Sequence, residues 1–508
     1  MAVPKICGIE QEYAIALSGG VSYDPIQLSY LVVNSFERVA AQTAWDYAEE
    51  TPFLDARGFS YDDTAIQISH NDNLRINNLL VNGARFYVDH AHPEFSTAEC
   101  LSVRDLIAFD RAGERVLDIA REEAAKQITD GREILIFKNN SDHQGNSYGC
   151  HENYMVSTEL YQRLFLPTQP RDGSKPIMAI LIPFFVTRQI LCGAGKVGSE
   201  NGTPSVDYQI SQRSDFFEIT MGANTTANRP IINTRDEPHA DKTLFRRLHV
   251  IVGDSNMCEV AGMLKVGTTK LVLSMLEDDV LDLDFSLEQP VRSLIDVSHD
   301  VSLKHTLALE GGGTMTALQI QREFLAAAED YCSMRPEHDT DENRMIIGYW
   351  RETLDTLEEE PMLLVGKLDW VTKRHLLQRY MSRKELGWRH PRVRRMDILY
   401  HDIRPERGLF HILEREGKTE RIVDDSERVK YFIGNPPDDT RAWFRSHCLR
   451  KFGDFVVEAN WDVLTFSTGD RRLRRITLGD PSKGTRELLE GVLKESDTIG
   501  RLLEILQH

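Results

Sequence analysis

Arg85, Tyr87 and Asp89 occupy alternate positions of the run Arg85-Phe86-Tyr87-Val88-Asp89. Successive side chains of a strand point to opposite faces. A guanidinium, a phenol and a carboxylate would therefore share one face, with Phe86 and Val88 on the other. Same-face neighbours stand roughly 7 Å apart, close enough for such a row to line a polar site. Further carboxylates follow at Glu94 and Glu99. Pro93 has no N–H to give a sheet ladder. It is expected to end the strand and leave those acids on a turn at the mouth of the sheet.

The segment from Ile6 to Ile15 has the same character, with Glu10 and Glu12 on one face and Ile9 and Tyr13 on the other. Acids at i and i+2 repel unless a cation lies between them. For one such pair a solvated outer face is the simpler reading. Two such strands, with a third acidic strand around Glu152, shift the balance toward metal binding. Hard oxygen ligands suit Mg²⁺ or Mn²⁺, ions that usually serve nucleotide phosphates. Arg213, Arg235 and His249 lie on or beside neighbouring predicted strands. Singly, such residues are mostly solvated or structural. Together they fit a site for a phosphate or a substrate carboxylate, which a planar guanidinium grips through two oxygens.

Several strands and a covering layer must position these groups. Strands are predicted at Glu133 to Phe137 and at Tyr148 to Val156, where Cys150, Glu152 and Tyr154 share one face and His151 and Asn153 the other. Further strands are expected at Ile177 to Thr187, at Asp207 to Thr220 (carrying Arg213) and at Phe245 to Asp254 (carrying His249). Asp24-Pro25 reads as a helix start, continuing to about Gln42, and Ser102 as the cap of a helix ending near Ile128. Helix-period apolar residues near 257–277, 316–333, 339–358 and 366–383 predict helices on the outer face of the sheet. The polar stretch 46–73 has no period and reads as a long loop, mobile and functional, inside a compact domain. Asn228 to Asp241 reads as a polar loop holding Arg229, Arg235 and His239. The G-x-G-x-x-G match at 193–198 lacks a following helix and reads as a turn. Pro436-Pro437 and the acidic run around them mark a domain edge. Beyond it a helix at 440–451, strands to about 466 and helices at 484–491 and 494–506 make a small unit containing Trp461.

The chain has 508 residues, 41% hydrophobic and 27% charged, as in ordinary globular proteins. A net charge of −19 argues against nucleic-acid binding by bulk charge. One segment runs the other way: Lys373 to Arg395 holds nine Lys or Arg, either a solvated face or a docking surface for an acidic partner. No long apolar run or leader is present, which predicts no membrane span or signal peptide. Seven widely spaced cysteines without C-x-x-C read as reduced thiols of a cytoplasmic protein. Cys150 and His151 are adjacent, but a strand points them to opposite faces, which disfavours a Cys/His nucleophile.

The segments GIEQEYAI (8–15), NGARFYVDHAHPE (82–94), YGCHENYMV (148–156), INTRDEPHAD (232–241), RRLHVIVGDSNM (246–257) and ANWDVLTF (459–466) run in order over most of the chain. Together they resemble the carboxylate-amine ligase branch of the glutamine synthetase superfamily, and within it the family that attaches and removes the prokaryotic ubiquitin-like protein Pup. Asp-His-Ala-His-Pro-Glu at 89–94 and the segment from Trp45 to Phe59 resemble the deamidase/depupylase side of that family.

The resemblance implies an α+β fold, a glutamine synthetase-like antiparallel sheet packed by helices. Residues 1–428 would form the catalytic domain, with the 46–73 loop inserted over the active site, and 429–508 a small C-terminal α/β domain. It implies ATP as a cofactor that is not turned over stoichiometrically, and Mg²⁺ or Mn²⁺. The expected reaction is hydrolysis of the side-chain amide of Pup's C-terminal glutamine, and of the isopeptide bond joining Pup to a substrate lysine. Partners would be Pup, pupylated proteins and proteasome-pathway components, with no nucleic acid or membrane. Asp89 matches the catalytic carboxylate, acting as general base or nucleophile. Glu10, Tyr87 and Glu94 match metal positions, and Glu12, Glu99 and Glu152 are further candidate ligands. Arg85, Thr97 and Trp461 match nucleotide contacts, and Arg213, Arg235 and His249 match the phosphate and substrate site. The residues by themselves leave open a Pup ligase or a non-catalytic nucleotide-binding regulator of pupylated proteins.

Overall fold

A six-stranded antiparallel sheet carries the polar rows. The computed structural model describes residues 2–506 except 21, 37–42, 49, 53, 61–68, 167–176, 424 and 470–471. The strands are β1 (Cys7–Glu12), β2 (Asn77–Leu79), β3 (Arg85–Asp89), β4 (His92–Ser96), β5 (Cys150–Ser157) and β6 (Phe245–Val250). Across the sheet they run β6-β5-β1-β4-β3-β2.

Register brings the rows together. Glu10 lies opposite His151 on β5 and Ser96 on β4. Glu12 and Tyr87 lie opposite Glu94 from either side, and Asn153 lies opposite His249. Directly paired residues share a face, so all of these project from one side of the sheet. The other side presents Ile9, Phe86, Phe95, Cys150 and Tyr154 to the main core.

That apolar side is covered by helices. The layer includes α1 (Pro25–Asn34), α2 (Val103–Ala125), α3 (Met178–Cys192) and α4 (Glu259–Glu277). Helix α2 approaches so closely that a Cβ on Gly113 would stand 2.6 Å from the Phe95 ring. Asp24 caps α1 by accepting the Ile26 and Gln27 N–H groups, and Ser102 caps α2 by accepting that of Asp105, as the sequence predicts. The far end expected for α1, at 37–42, lies outside the described residues. The later periodic segments form α5 (Ala317–Met334), α6 (Asp341–Glu359) and α7 (Asp369–Lys384), and α8 (Pro391–Tyr400) follows. The architecture is the expected α+β one.

Four local expectations are corrected. Ile177 to Thr187 belongs to helix α3, not to a strand; nearly all of its residues are buried, so no polar face reveals the period. Asp207 to Thr220 is not one strand. Ser211 Oγ accepts the N–H groups of Arg213 and Ser214 and turns the chain between strands at Tyr208–Gln209 and Phe217–Gly222. The polar loop at 228–241 opens with the strand Arg229–Asn233. Pro93 does not end the sheet but sits inside β4, where its carbonyl accepts the Tyr13 N–H at 3.0 Å. Glu94 is therefore a strand residue on the polar face.

A second, smaller core gathers Phe444, Leu449, Val456, Leu464, Phe466 and Leu502. It belongs to helix α9 (Arg441–Phe452), strands β7 (Val456–Ala459), β8 (Val463–Ser467) and β9 (Leu473–Thr477), and helices α10 (Arg486–Glu495) and α11 (Ile499–Leu506). Val429, Phe432 and Ala442 still pack in the main core. The two-residue strand Ala44–Trp45 completes the small sheet by pairing in parallel with β7. The chain just before the expected insertion is thus fixed to the C-terminal unit.

Candidate active site

The polar face opens into two cavities. One lies between the sheet and the small unit. Gly8 and Thr97 form part of its wall, and Thr97 Oγ1 accepts the Ile9 N–H at 3.0 Å. Trp461 and Arg441 close it from the small unit; Glu10 and Arg247 reach it from the sheet. The other, wider cavity is faced by Glu12, Asp89, His151, Arg213 and Arg229. Glu10 and Glu12 are two residues apart on β1, so the acidic row stands where the cavities meet.

Two sets of side chains on this row are close enough to hold a cation. Ligand atoms of Glu10, His151 and His249 lie within 4.8 Å of one another, as do those of Glu12, Asp89 and Glu94. The residues fit a divalent ion. Burial, with the Asp89, Glu12 and Glu10 charges added, pushes the Glu94 carboxyl well above the carboxylate range, a repulsion that a bound cation would relieve. Burial and Arg247 keep His249 neutral, the form that donates a lone pair, and its buried Nε2 has no hydrogen-bond partner among the described residues. Burial would raise the Glu10 carboxyl too, but the His151 hydrogen bond and the Arg247 charge hold it well below the usual range. Asn153 Nδ2 donates to Glu10 Oε1 at 2.8 Å and fixes its rotamer.

Asp89 is half-exposed on the wall of the wide cavity, 3.0 Å from His90 Nδ1. Arg213 faces the same cavity and is 1% exposed. Its Nη1 donates to the Ile251 carbonyl, and no carboxylate pairs with it among the described residues. Burial and the neighbouring Arg229 lower its pKa to about 10. Arg229 donates to the Ser147 and Thr225 carbonyls, each at 2.8 Å, and also lacks an acid partner among the described residues. Among the described residues neither cation of this wall has a carboxylate partner, which leaves both placed to receive an anion.

The other sequence candidates divide. Tyr87 stands opposite Glu94 on the polar face. Arg85 is held by the segment before and within the expected insertion. It lies between the rings of Trp45 and Tyr87, 4.0 Å from each centre, and 3.6 Å from Glu50 Oε1. Trp45 in turn packs edge-on against Trp461 at 5.3 Å. Arg235 is 3.8 Å from Glu237, and its backbone bridges Asp55, so the hairpin Leu54–Asp55/Phe59–Ser60 docks beside the site. The middle of the expected loop, 61–68, lies outside the described residues. His249 joins Glu10 and His151 and is absent from the wall that holds Arg213.

Glu152 and Glu99 do not join either metal set. Glu152 points to the core side of β5, where Arg188 donates to both its oxygens at 2.8 Å. Glu99 is clamped by Arg441 at 2.8 Å and Arg445 at 2.6 Å, tying the small unit to the sheet. Sequence reasoning did not single out His151, which the fold sets within 4.8 Å of Glu10 and His249, or Arg229, which shares the cavity wall with Arg213. Alternation had placed Glu152 and His151 on opposite faces, and the register of β5 with β1 sets His151 on the face of Glu10.

A model of the Pup-ligase protein family matches residues 5–465. The chain belongs to the Pup-ligase family. Within the family it is 44% identical to a protein named depupylase from Acidothermus cellulolyticus, over 95% of each chain. It is 38% identical to a Pup deamidase/depupylase from Mycolicibacterium smegmatis, over 99% of this chain and all of that one. A Pup–protein ligase from Mycobacteroides abscessus is 41% identical, but over 82% of this chain and 90% of its own. Among solved structures, the complex of Pup with its ligase PafA aligns at a TM-score of 0.77 and 32% identity, covering 99% of this chain and 94% of that one. PafA in complex with ADP aligns at 0.71 and 35%, covering 86% and 95%.

Proposed function

We propose that this protein is a cytoplasmic Pup deamidase and depupylase. It converts the C-terminal glutamine of Pup to glutamate and hydrolyses the isopeptide bond between Pup and a lysine of a pupylated protein. The observation that carries this reading is the match to relatives named depupylase over 95–99% of the chain, against 82% for a relative named ligase.

The geometry supports the same reaction. The pocket bearing Thr97 and Trp461 would take ATP as a cofactor, its phosphates directed to the Glu10–Glu12 end. Glu10, His151 and His249, and Glu12 with Glu94, would hold Mg²⁺, which neutralises phosphate charge when bound, and leave Asp89 for the amide. Glutamine enters the wide cavity with its side-chain amide beside Asp89 and its α-carboxylate toward Arg213 and Arg229. Asp89 either takes a proton from the water that attacks the amide carbon, or attacks that carbon itself to give an anhydride that water then hydrolyses; on both routes the C–N bond breaks and ammonia, or the amine of the substrate lysine, leaves.

The test is mass spectrometry of Pup ending in glutamine, incubated with the protein, ATP and Mg²⁺, with Asp89→Asn alongside. Wild type should add about one mass unit, the change from amide to acid, while the variant leaves Pup unchanged. Conversion of Pup ending in glutamate to a Pup–lysine conjugate, without deamidation, would replace this reading by the ligase.

A further inference from the structure

Among the described residues one side chain hydrogen-bonds Asp89: the ring of His90, whose Nδ1 stands 3.0 Å from Asp89 Oδ2. An ionised carboxylate only accepts, so the ring nitrogen donates. The Asp89 side chain is 40% exposed and the His90 ring 66%. Between neighbours on an open turn such a contact is ordinarily worth little. Three observations set this one apart.

The first is the backbone. Asp89 and His92 pair across the β3–β4 hairpin, which leaves His90 and Ala91 as its two turn residues. His90 has a φ of 51°, in the left-handed region that glycine and asparagine occupy with least strain. For the turn itself, glycine would serve better than histidine. The second is that the turn is held without the ring. Buried Ser29 on α1 donates to the Ala91 carbonyl at 2.8 Å. On the other side, His92 Nδ1 lies 3.3 Å from Glu12 Oε2, and its ring centre lies 4.7 Å from that of Tyr148. The His90 imidazole is therefore not needed to fix the hairpin. The third is location: His90 and Asp89 both line the wide cavity, so their bond is made on the wall where the amide is placed.

We propose that His90 is the positioning residue of Asp89: its Nδ1–H holds Oδ2 and so turns Oδ1 toward the amide carbon or the attacking water. This rests on the role given to Asp89 above. A half-exposed carboxylate turns about two side-chain bonds, and without a partner it spreads over several rotamers. The reaction uses one of them, and misplacing a reacting group by about 1 Å costs on the order of 100-fold in rate. The His90 bond selects that rotamer before the substrate arrives.

The test compares wild type with His90→Gly, His90→Asn and His90→Gln, each as the full chain with ATP and Mg²⁺. His90→Gly suits the backbone and removes the bond. In His90→Asn the amide nitrogen falls where Nδ1 stands, which keeps the bond without an ionisable ring. In His90→Gln the amide falls where Nε2 stands and misses Asp89. Deamidation of Pup ending in glutamine is followed by mass spectrometry. For His90→Gly and His90→Gln, kcat should drop on the order of 10–100-fold with KM within about twofold, while kcat of His90→Asn stays within about threefold of wild type. Unchanged kcat in His90→Gly overturns the proposal. So does a His90→Asn protein as slow as His90→Gly, because the reaction would then use the ring and not its hold on Asp89. Crystal structures read the position directly. Asp89 should take one conformer in wild type and His90→Asn, and several in His90→Gly; a single unchanged conformer in His90→Gly also overturns the proposal. If wild type leaves Pup ending in glutamine unaltered while the Asp89 conformers follow that order, the positioning stands and the reaction assignment falls.

Discussion

Replacing Glu152 by Gln distinguishes a structural acid from a metal ligand. The substitution preserves size and removes one charge. In the native protein Glu152 and Arg188 are each 1% exposed and joined by two parallel hydrogen bonds of 2.8 Å. Tyr154 donates a third bond to the same carboxylate at 2.5 Å. The Glu152→Gln protein would leave the Arg188 guanidinium buried without a counter-charge, although its bonds to the Lys265 carbonyl and Thr269 survive. Removing one member of a buried pair costs about 3–5 kcal/mol. With an unfolding entropy near 2 cal/mol/K per residue, that loss spread over 508 residues lowers the melting midpoint by roughly 3–5 °C. Thermal denaturation with and without Mg²⁺–ATP is the assay. The midpoint should fall in both conditions, while the stabilisation given by Mg²⁺–ATP stays the same. Replacing the pair together, as Glu152→Leu with Arg188→Met, should recover most of the loss, because neither charge is then stranded. A Glu152→Gln protein that melts like wild type but loses its response to Mg²⁺ would refute the reasoning and return Glu152 to the metal site.

Two further outcomes follow from named contacts. Burial would raise the Glu99 carboxyl, but Arg445 and Arg441 outweigh it and bring it down to about 2. Its folded pKa lies below its unfolded one, so the stabilisation is complete above about pH 4.5 and is lost as pH falls toward 2. Glu99→Gln should therefore destabilise at pH 7 and flatten the decline below pH 4.5, as read by denaturant unfolding at several pH values; an unchanged acid limb would count against the clamp. Gly149 lies where a Cβ would press on the His151 ring and stand 2.8 Å from Glu12 Oε1. Gly149→Ala should fold normally yet weaken Mg²⁺ binding on the order of 10–100-fold, measured by titration calorimetry in the presence of nucleotide; unaltered metal affinity would contradict that placement.

Periodicity and capping carry most of the architecture, because both are local. Alternation along β3 and β5, the caps at Asp24 and Ser102, and the helical period from α4 to α7 are set by neighbours within a few residues. What local signals lack is register and direction. Glu152 and His151 are both able to bind metal, and alternation places them on opposite faces without saying which face is the site. Only pairing of β5 with β1 decides that, by setting His151 against Glu10 and Glu152 against Ile9. Glu99 fails for a different reason: its partners Arg441 and Arg445 come from more than three hundred residues away, across a boundary between two cores. Helix α3 is unreadable because burial on every side erases the polar stripe from which a period is read. In each case the missing information is a long-range contact. Glu10, Asp89 and Glu94, the acids singled out in the sequence, do fall within the two clusters whose ligand atoms lie close together, where burial and like charges press on Glu94.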